Sequence, residues 1–340
     1  MNKIALASAL VVFSLGGCLG PGEGKAASQP SLSAARSIPF SGSTQAADGL
    51  APQAQPAAGA LDATLEFAEP APASALELFC GGVAGLKGSL QSLVSSAPSG
   101  EWAVYLQDLP HGTVVSINAD QPMHPASTIK VAIAIAFLRW FESHPAVPWT
   151  SGPVPHERSF EQLLRAMVVI SEEDATASLT NFLMDQQRID LNREVQSWGA
   201  AQTTVVPRRS TARDLGLILE RLANGDLLSE AGTDYLLDLM RTPTPSKLTR
   251  LGAGLPAGPQ DLLAHKTGTT FQQGLGVVAD SGLVQWEGTS YVIVVLSNHV
   301  QWVDYSSAMA LIAQISRVAY ACLGPEAAWP SSVRRGGPSP

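Results

Sequence analysis

The segment "HPASTIKVAIAIAFLRW" sets Ser127 and Lys130 three positions apart at the mouth of an apolar run. On a helix that spacing brings the two side chains onto one face. A hydroxyl at a helix start, where the macrodipole is positive, with an amine in reach, is one way to activate a weak nucleophile. The chemistry this allows is nucleophilic catalysis by the serine hydroxyl. The same pair also reads as an N-cap serine beside a snorkelling lysine, so its neighbours must decide. Pro125 disfavours helical geometry at His124, which predicts a helix starting near Ser127. The run from Val131 to Leu138 is apolar throughout and predicts a helix buried on most sides.

Two further short motifs carry polar groups. "MVVISEEDATASLTNFL" puts Ser171 at a loop-to-helix boundary, and "HKTGTT" puts Lys266, Thr267 and Gly268 on a predicted strand. The elements that must position them read as follows. Leu76 to about Ser95 spaces apolar residues at helical intervals. "EWAVYLQDLPHGTVVSINAD" alternates apolar and polar residues around a Pro-His-Gly turn, a β-hairpin signal. A largely helical middle runs from Ser127 to about Met240. "LLAHKTGTT", "GLGVVADSGLVQW" and "SYVIVVLSN" then read as strands, and "DYSSAMALIAQISRVAYACL" as a closing helix. The fold class is α+β: an antiparallel sheet built from both chain ends, with flanking helices and an inserted all-helical lobe. Clefts form where such lobes meet.

The 340 residues carry a formal charge of −8, and 45% of them are hydrophobic, enough for a sizeable core. The acidic balance, without a Lys/Arg cluster, argues against a nucleic-acid partner or a polybasic membrane contact. At the N-terminus "MNK" supplies a basic start, Ile4 to Leu15 an apolar stretch, and then comes "LGGC". This end resembles a bacterial lipoprotein signal, which implies a signal peptide over residues 1–17 and lipidation at Cys18. No later apolar run is read as long enough to span a bilayer, so the expected membrane attachment is by lipid alone. Residues 18–75 are rich in Ala, Pro, Ser and Gly and read as a flexible tether with a reach of about 40 Å. Residues 76–325 form the expected catalytic domain and 326–340 a tail.

Taken together and in this order, the motifs resemble those of the penicillin-recognising serine enzymes, closest to class A β-lactamases. The resemblance covers roughly Leu76 to Leu323, including "INADQPMHPASTIKVAIA", "STARDLGLILERLANGDLLSEAG" and "LGAGLPAGPQDLLAHKTGT". It implies a β-lactamase/transpeptidase-like fold with Ser127 as nucleophile and Lys130 as its base, given a nearby cation to lower the lysine pKa. Ser171 would relay a proton to the leaving nitrogen. Lys266 would hold that hydroxyl and attract a substrate carboxylate, which Thr267 would also bind. The N–H groups of Ser127 and Thr269 would form an oxyanion hole, and Gly268 would let substrate approach the backbone. The first and last helices would pack antiparallel, which implies a Cys80–Cys322 disulfide in an exported protein.

The pattern breaks in two places. Where class A enzymes carry Ser-Asp-Asn, this chain has Ser171, Glu172 and Glu173, and an ionised glutamate accepts but cannot donate. Glu173 either turns elsewhere or faces a substrate group that donates. The family's Glu-x-x-Leu-Asn loop, whose glutamate activates the deacylating water, is missing. "DQQRIDLNREVQSWGAAQTTVVPRR" contains Glu194 without a following Leu-Asn, and only the fragment Asp190–Asn192. No metal site is expected, since His156 and Glu157 lack a second histidine and His265 reads as structural or substrate-edge. No cofactor is expected. The leading function is therefore an exported, monomeric serine hydrolase opening β-lactams, with slow deacylation. The alternatives are a D,D-peptidase acting on peptidoglycan stem peptides and a non-catalytic penicillin binder.

Overall fold

The computed structural model describes residues 80–154, 158–256, 262–286 and 289–324. The signal-like segment, Cys18, the Ala/Pro-rich stretch, Leu76–Phe79, His156, Glu157 and the C-terminal tail lie outside them. Helix α1 (Gly82–Ser95) leads into the hairpin β1 (Glu101–Asp108) and β2 (Thr113–Ile117). Helices α2 (Lys130–Glu142), α3 (Phe160–Val169), α4 (Glu173–Asn181), α5 (Leu191–Ser197), α6 (Ala212–Ala223) and α7 (Glu230–Arg241) follow. The chain then returns through β3 (Leu263–Gln272), β4 (Leu275–Trp286), β5 (Thr289–Asn298) and the short β6 (Val300–Gln301) to α8 (Tyr305–Leu323).

The sheet runs β2-β1-β5-β4-β3 with antiparallel pairing, and β6 adds to β4. N-terminal β1 therefore lies beside C-terminal β5, as expected for a sheet assembled from both chain ends. Strand alternation divides the core into two layers. Trp102, Val104 and Leu106 of β1, with Ile293 and Val295 of β5, face α1 and α8. Ala103 and Tyr105, with Val292, Val294 and Leu296, face the helical lobe. Both faces are covered, which is why β5 reads as a continuous apolar run instead of an alternating one. In the lobe α2 is the central rod, with Val131 to Leu138 all buried.

Local signals set the lobe's helices. Ser159 and Gln162 form a capping box on α3, and the Thr211 hydroxyl caps α6 at Asp214 N. Buried Asp214 also accepts from Gln202 N (2.8 Å) and from the Thr203 hydroxyl (2.9 Å). These bonds tie the segment after α5 to α6, and a bridge between Met123 and Ser210 brings its end beside the segment that enters α2.

The stretch Trp302–Leu323 is long and apolar enough to cross a membrane, contrary to the reading that no such run follows the N-terminus. Its apolar face instead packs on the sheet, with Ile312, Ile315 and Ala319 fully buried. A disulfide joins Cys80 to Cys322, with Cα atoms 5.7 Å apart, and so ties the entry to α1 to the end of α8. A crosslink over so long a loop restricts the unfolded chain far more than the native one. Cys80→Ala or reduction is expected to remove about 2–4 kcal/mol of stability, read as a fall of roughly 5–15 °C in melting temperature.

Candidate active site

Ser127 does not open an α-helix. Ala126–Ile129 form a 3₁₀ turn and α2 begins at Lys130, a later start than the sequence suggests. Ala126 sits at φ 48°, a left-handed conformation that is costly for a residue with a Cβ. The turn is held from within, because both N and the hydroxyl of Thr128 donate to Pro125 O (3.2 and 2.7 Å). It is also held by β3: a Cβ on Gly268 would lie 3.0 Å from Pro125 O and from Ser127 N. Glycine is thus required for the strand to close on the nucleophile turn, in addition to any approach of substrate.

The register of the sheet orients the main chain beside this turn. Val278, opposite Thr269 in the register, has its N–H and C=O engaged by the Ser297 hydroxyl on β5. The main-chain groups of Val278 therefore face β5, and Thr269 belongs to a non-hydrogen-bonded pair with its own N–H directed to the open outer edge of β3. Ser127 N, at the start of the turn, lies against Gly268, the neighbouring residue on β3. The Thr269 N–H is thus free of the β3–β4 ladder, which an oxyanion-hole donor must be.

The expected contact between Ser127 and Lys130 is not a direct hydrogen bond. Lys130 Nζ, fully buried, donates to Ser171 O (2.7 Å), Ser171 Oγ (3.2 Å) and Glu173 Oε1 (2.7 Å). Ser127 Oγ points at the same Glu173 oxygen from 3.5 Å, so the carboxylate stands between hydroxyl and amine. Burial lowers the Lys130 pKa, and Arg208 helps, while the hydrogen bond and charge of Glu173 oppose them. The lowering cause assumed from the sequence was a neighbouring cation; the larger one is desolvation. Ser171, at φ 63°, turns its main chain so that both its carbonyl and its hydroxyl meet the amine.

Glu173 also accepts from Arg208 (2.7 Å), on the short segment between α5 and α6. Burial pushes its carboxyl up, but hydrogen bonds from Arg208 and Lys130 outweigh this and hold the pKa at about 2. Glu172 is turned away and pairs with Arg158 through two hydrogen bonds (2.6 and 3.1 Å). Glu194, on α5, binds Arg139 (3.0 Å) and Trp198 Nε1 (3.3 Å), outside this cluster. Asn192 accepts from Val205 N and Val206 N, so the remnant fragment supports the short segment structurally.

Lys266 does not reach Ser171. It is buried on β3 and donates to Thr267 O (3.2 Å), beside the buried Thr267 side chain. Desolvation first, then the charges of Lys130, Lys247 and Arg250, lower its pKa to about 7. Below pH 7 its unfavourable buried charge is fully present, and the penalty is relieved as pH rises from about 7 to 10.5. Capture of a carboxylate should weaken over the same range. The labelling rate with a carboxylate-bearing penicillin is expected to fall on the alkaline side. Lys266→Arg, which stays charged, should move that limb out of range.

Two arginines of the cluster escaped the sequence reading. Arg208 follows Pro207 in a segment with no helical or strand period. Arg250 lies between two short 3₁₀ turns, is 2% exposed, and donates to the Thr269 hydroxyl and to Tyr305 Oη (3.3 Å). It sets a second buried cation against β3, the strand that carries Lys266. His265, read as structural or substrate-edge, is buried and bonded through Nδ1 to Asp280 (2.9 Å), which also accepts from Leu251 N (3.2 Å). This pair braces the turn that carries Arg250.

The arrangement can be set beside known proteins. The model of the β-lactamase enzyme family matches residues 85–147 and 145–323. The structure of PBP-A is 27% identical, with a TM-score of 0.60 over 70% of this chain and 95% of that one. A mutant of PBP-A, captured as an acyl-enzyme complex with penicillin G, is 26% identical, with a TM-score of 0.58 over 70% and 96%. A β-lactamase from Chitinophaga pinensis DSM 2588, at 21% identity, shares the fold with a TM-score of 0.61 over 70% and 98%. No curated protein matches the sequence. Since the family model runs over the sheet, the helical lobe and every residue of the cluster around Ser127, the chain belongs to the β-lactamase enzyme family.

Proposed function

We propose that this protein is an exported serine hydrolase that opens β-lactams through an acyl-Ser127 intermediate and releases the product slowly. The observation that carries the reading is the meeting of the nucleophile turn with the open edge of β3. It brings the Ser127 main chain against Gly268, with the Ser127 hydroxyl and the buried Lys130 amine both reaching one Glu173 oxygen. Ser127 Oγ attacks the lactam carbonyl, and its proton passes to the neutral fraction of Lys130, whose partner Glu173 lies 3.5 Å from the same hydroxyl. The carbonyl oxygen gains charge against Ser127 N and Thr269 N, where one donor is typically worth about 3 kcal/mol. Lys130 returns the proton through Ser171 Oγ, 3.2 Å away, to the lactam nitrogen as the C–N bond breaks. Lys266, Thr267 and Arg250 orient the substrate carboxylate. No cofactor enters these steps. The export signal and the lipid at Cys18 belong to the same proposal.

A second reading, hydrolysis of peptidoglycan stem peptides, is favoured by one observation: residues 199–210 contain no carboxylate to activate water. A chromogenic cephalosporin assay run beside a fluorescent penicillin label separates the readings. Turnover of the chromogen supports the lactamase. Label lost slowly with peptide turnover supports the peptidase. Label that never leaves supports a binder and overturns both.

A further inference from the structure

His124 precedes the nucleophile turn, and its ring takes no part in the chemistry above. Its Nδ1 accepts the N–H of Ala126 (3.0 Å). That N–H belongs to the left-handed residue immediately before Ser127, and Ala126 is buried. A buried donor without an acceptor is costly, so the imidazole lone pair holds the turn in a conformation the backbone would otherwise leave. The histidine is itself clamped. In the orientation that satisfies its hydrogen bonds, the Asn298 amide accepts from His124 N (2.9 Å) and donates to His124 O (3.2 Å). Met123, the preceding residue, is bridged to Ser210 through N and O (2.7 and 2.9 Å). The main chain that carries the ring is therefore fixed on both sides of His124, and the ring itself is held by its bond to Ala126 N.

We propose that His124 is a positioning residue. Its unprotonated Nδ1 sets the direction of Ser127, and its protonation turns acylation off. An imidazolium has two donors and no acceptor, so it would meet the Ala126 N–H donor to donor. The neighbouring elements carry Arg208 with its partner Glu173 on the lobe side, and the Glu101–His299 pair at the ends of β1 and β5. Burial first, and the charge of Arg208 second, lower the His124 pKa below the ordinary 6.5. The sign follows. The neutral, turn-holding form prevails at neutral pH, and both this hold and its contribution to stability are lost as pH falls through the lowered value.

This inference rests on the acyl-serine reading of the site. It is tested by the second-order rate of labelling with a fluorescent penicillin from about pH 4.5 to 8, with far-UV circular dichroism confirming the fold at each pH. Lys130, which must shed a proton to act as a base, already makes the rate depend on one proton. His124 adds a second, so the wild-type log rate should steepen from slope one to slope two below a break under pH 6.5. His124→Asn places an amide oxygen near the Nδ1 position and does not titrate. It should keep the neutral-pH rate within about threefold and remove the second break, whereas His124→Ala should lose at least about tenfold at every pH. A structural role alone would lower the melting temperature of both variants and leave the break in place, which overturns the proposal. A wild-type profile with no second break overturns it too. Should His124→Asn fail to fold, the NMR titration of the wild-type His124 ring decides: its midpoint must coincide with the break. A wild type that takes no label overturns the acyl-serine reading and this inference together, an outcome distinct from labelling without the break.

Discussion

Ser127→Ala is expected to abolish covalent labelling by a penicillin while leaving the melting temperature within about 2 °C of wild type. The second half follows from the contacts. Ser127 Oγ makes one long approach to Glu173 (3.5 Å), so its removal leaves no buried group newly without a partner. The close packing of Gly268, and the N–H and hydroxyl of Thr128 on Pro125 O, hold the turn, and the substitution touches none of them. Lys130→Ala is the companion case with the opposite cost. It should slow labelling by about 10²–10⁴, the usual worth of a positioned base. It should also disturb the lobe, because Ser171 O, Ser171 Oγ and Glu173 all lose a buried donor. Labelling is therefore read per folded molecule, by active-site titration against a thermal unfolding curve. Label retained by Ser127→Ala would place the nucleophile elsewhere.

The elements of this fold were legible in the sequence because their signals are local. The hairpin announced itself through alternation around Leu109–Gly112, and the middle of the chain as largely helical, without its separate helices being told apart. The start of α2 was misplaced for a nonlocal reason. The turn at Ala126 is set by Gly268, 142 positions away in the chain, and by the His124 ring, neither of which shows in helical period. The same limit explains the side-chain network. The i, i+3 spacing of Ser127 and Lys130 suggested a direct contact, but the buried amine finds stronger partners in Ser171 and an ionised Glu173. Arg208 and Arg250 could not be found by motif, since each acts across the fold from a segment without regular structure. The first two motifs meet through Lys130 and Ser171, and the third through Gly268 against the Ser127 turn; the ion pairs among them came only with coordinates.

Those ion pairs make the fate of the acyl-enzyme the sharpest remaining expectation. Mixed with excess chromogenic lactam, the enzyme should show a burst near one equivalent followed by a slow phase. Release requires a base for water. The segment between Gly199 and Ser210 offers none, and Glu194 is engaged with Arg139 and Trp198. Glu173 is the carboxylate that reaches Ser127 Oγ, but with a pKa of about 2 it is a feeble base at neutral pH. Glu173→Gln should therefore keep the burst amplitude and depress the slow phase at least about tenfold, since an amide cannot take the proton from water. It should also move the acid limb of acylation. The charge and hydrogen bond of Glu173 raise the Lys130 pKa, so their loss lets the amine go neutral at lower pH, and the limb shifts in that direction. Stopped-flow absorbance across pH reads both effects in one series. Rapid turnover without a burst would mean that another base serves the wild-type acyl-enzyme. A Glu173→Gln variant that loses the burst would assign this carboxylate to acylation, as the relay between Ser127 and Lys130, and leave deacylation to water alone.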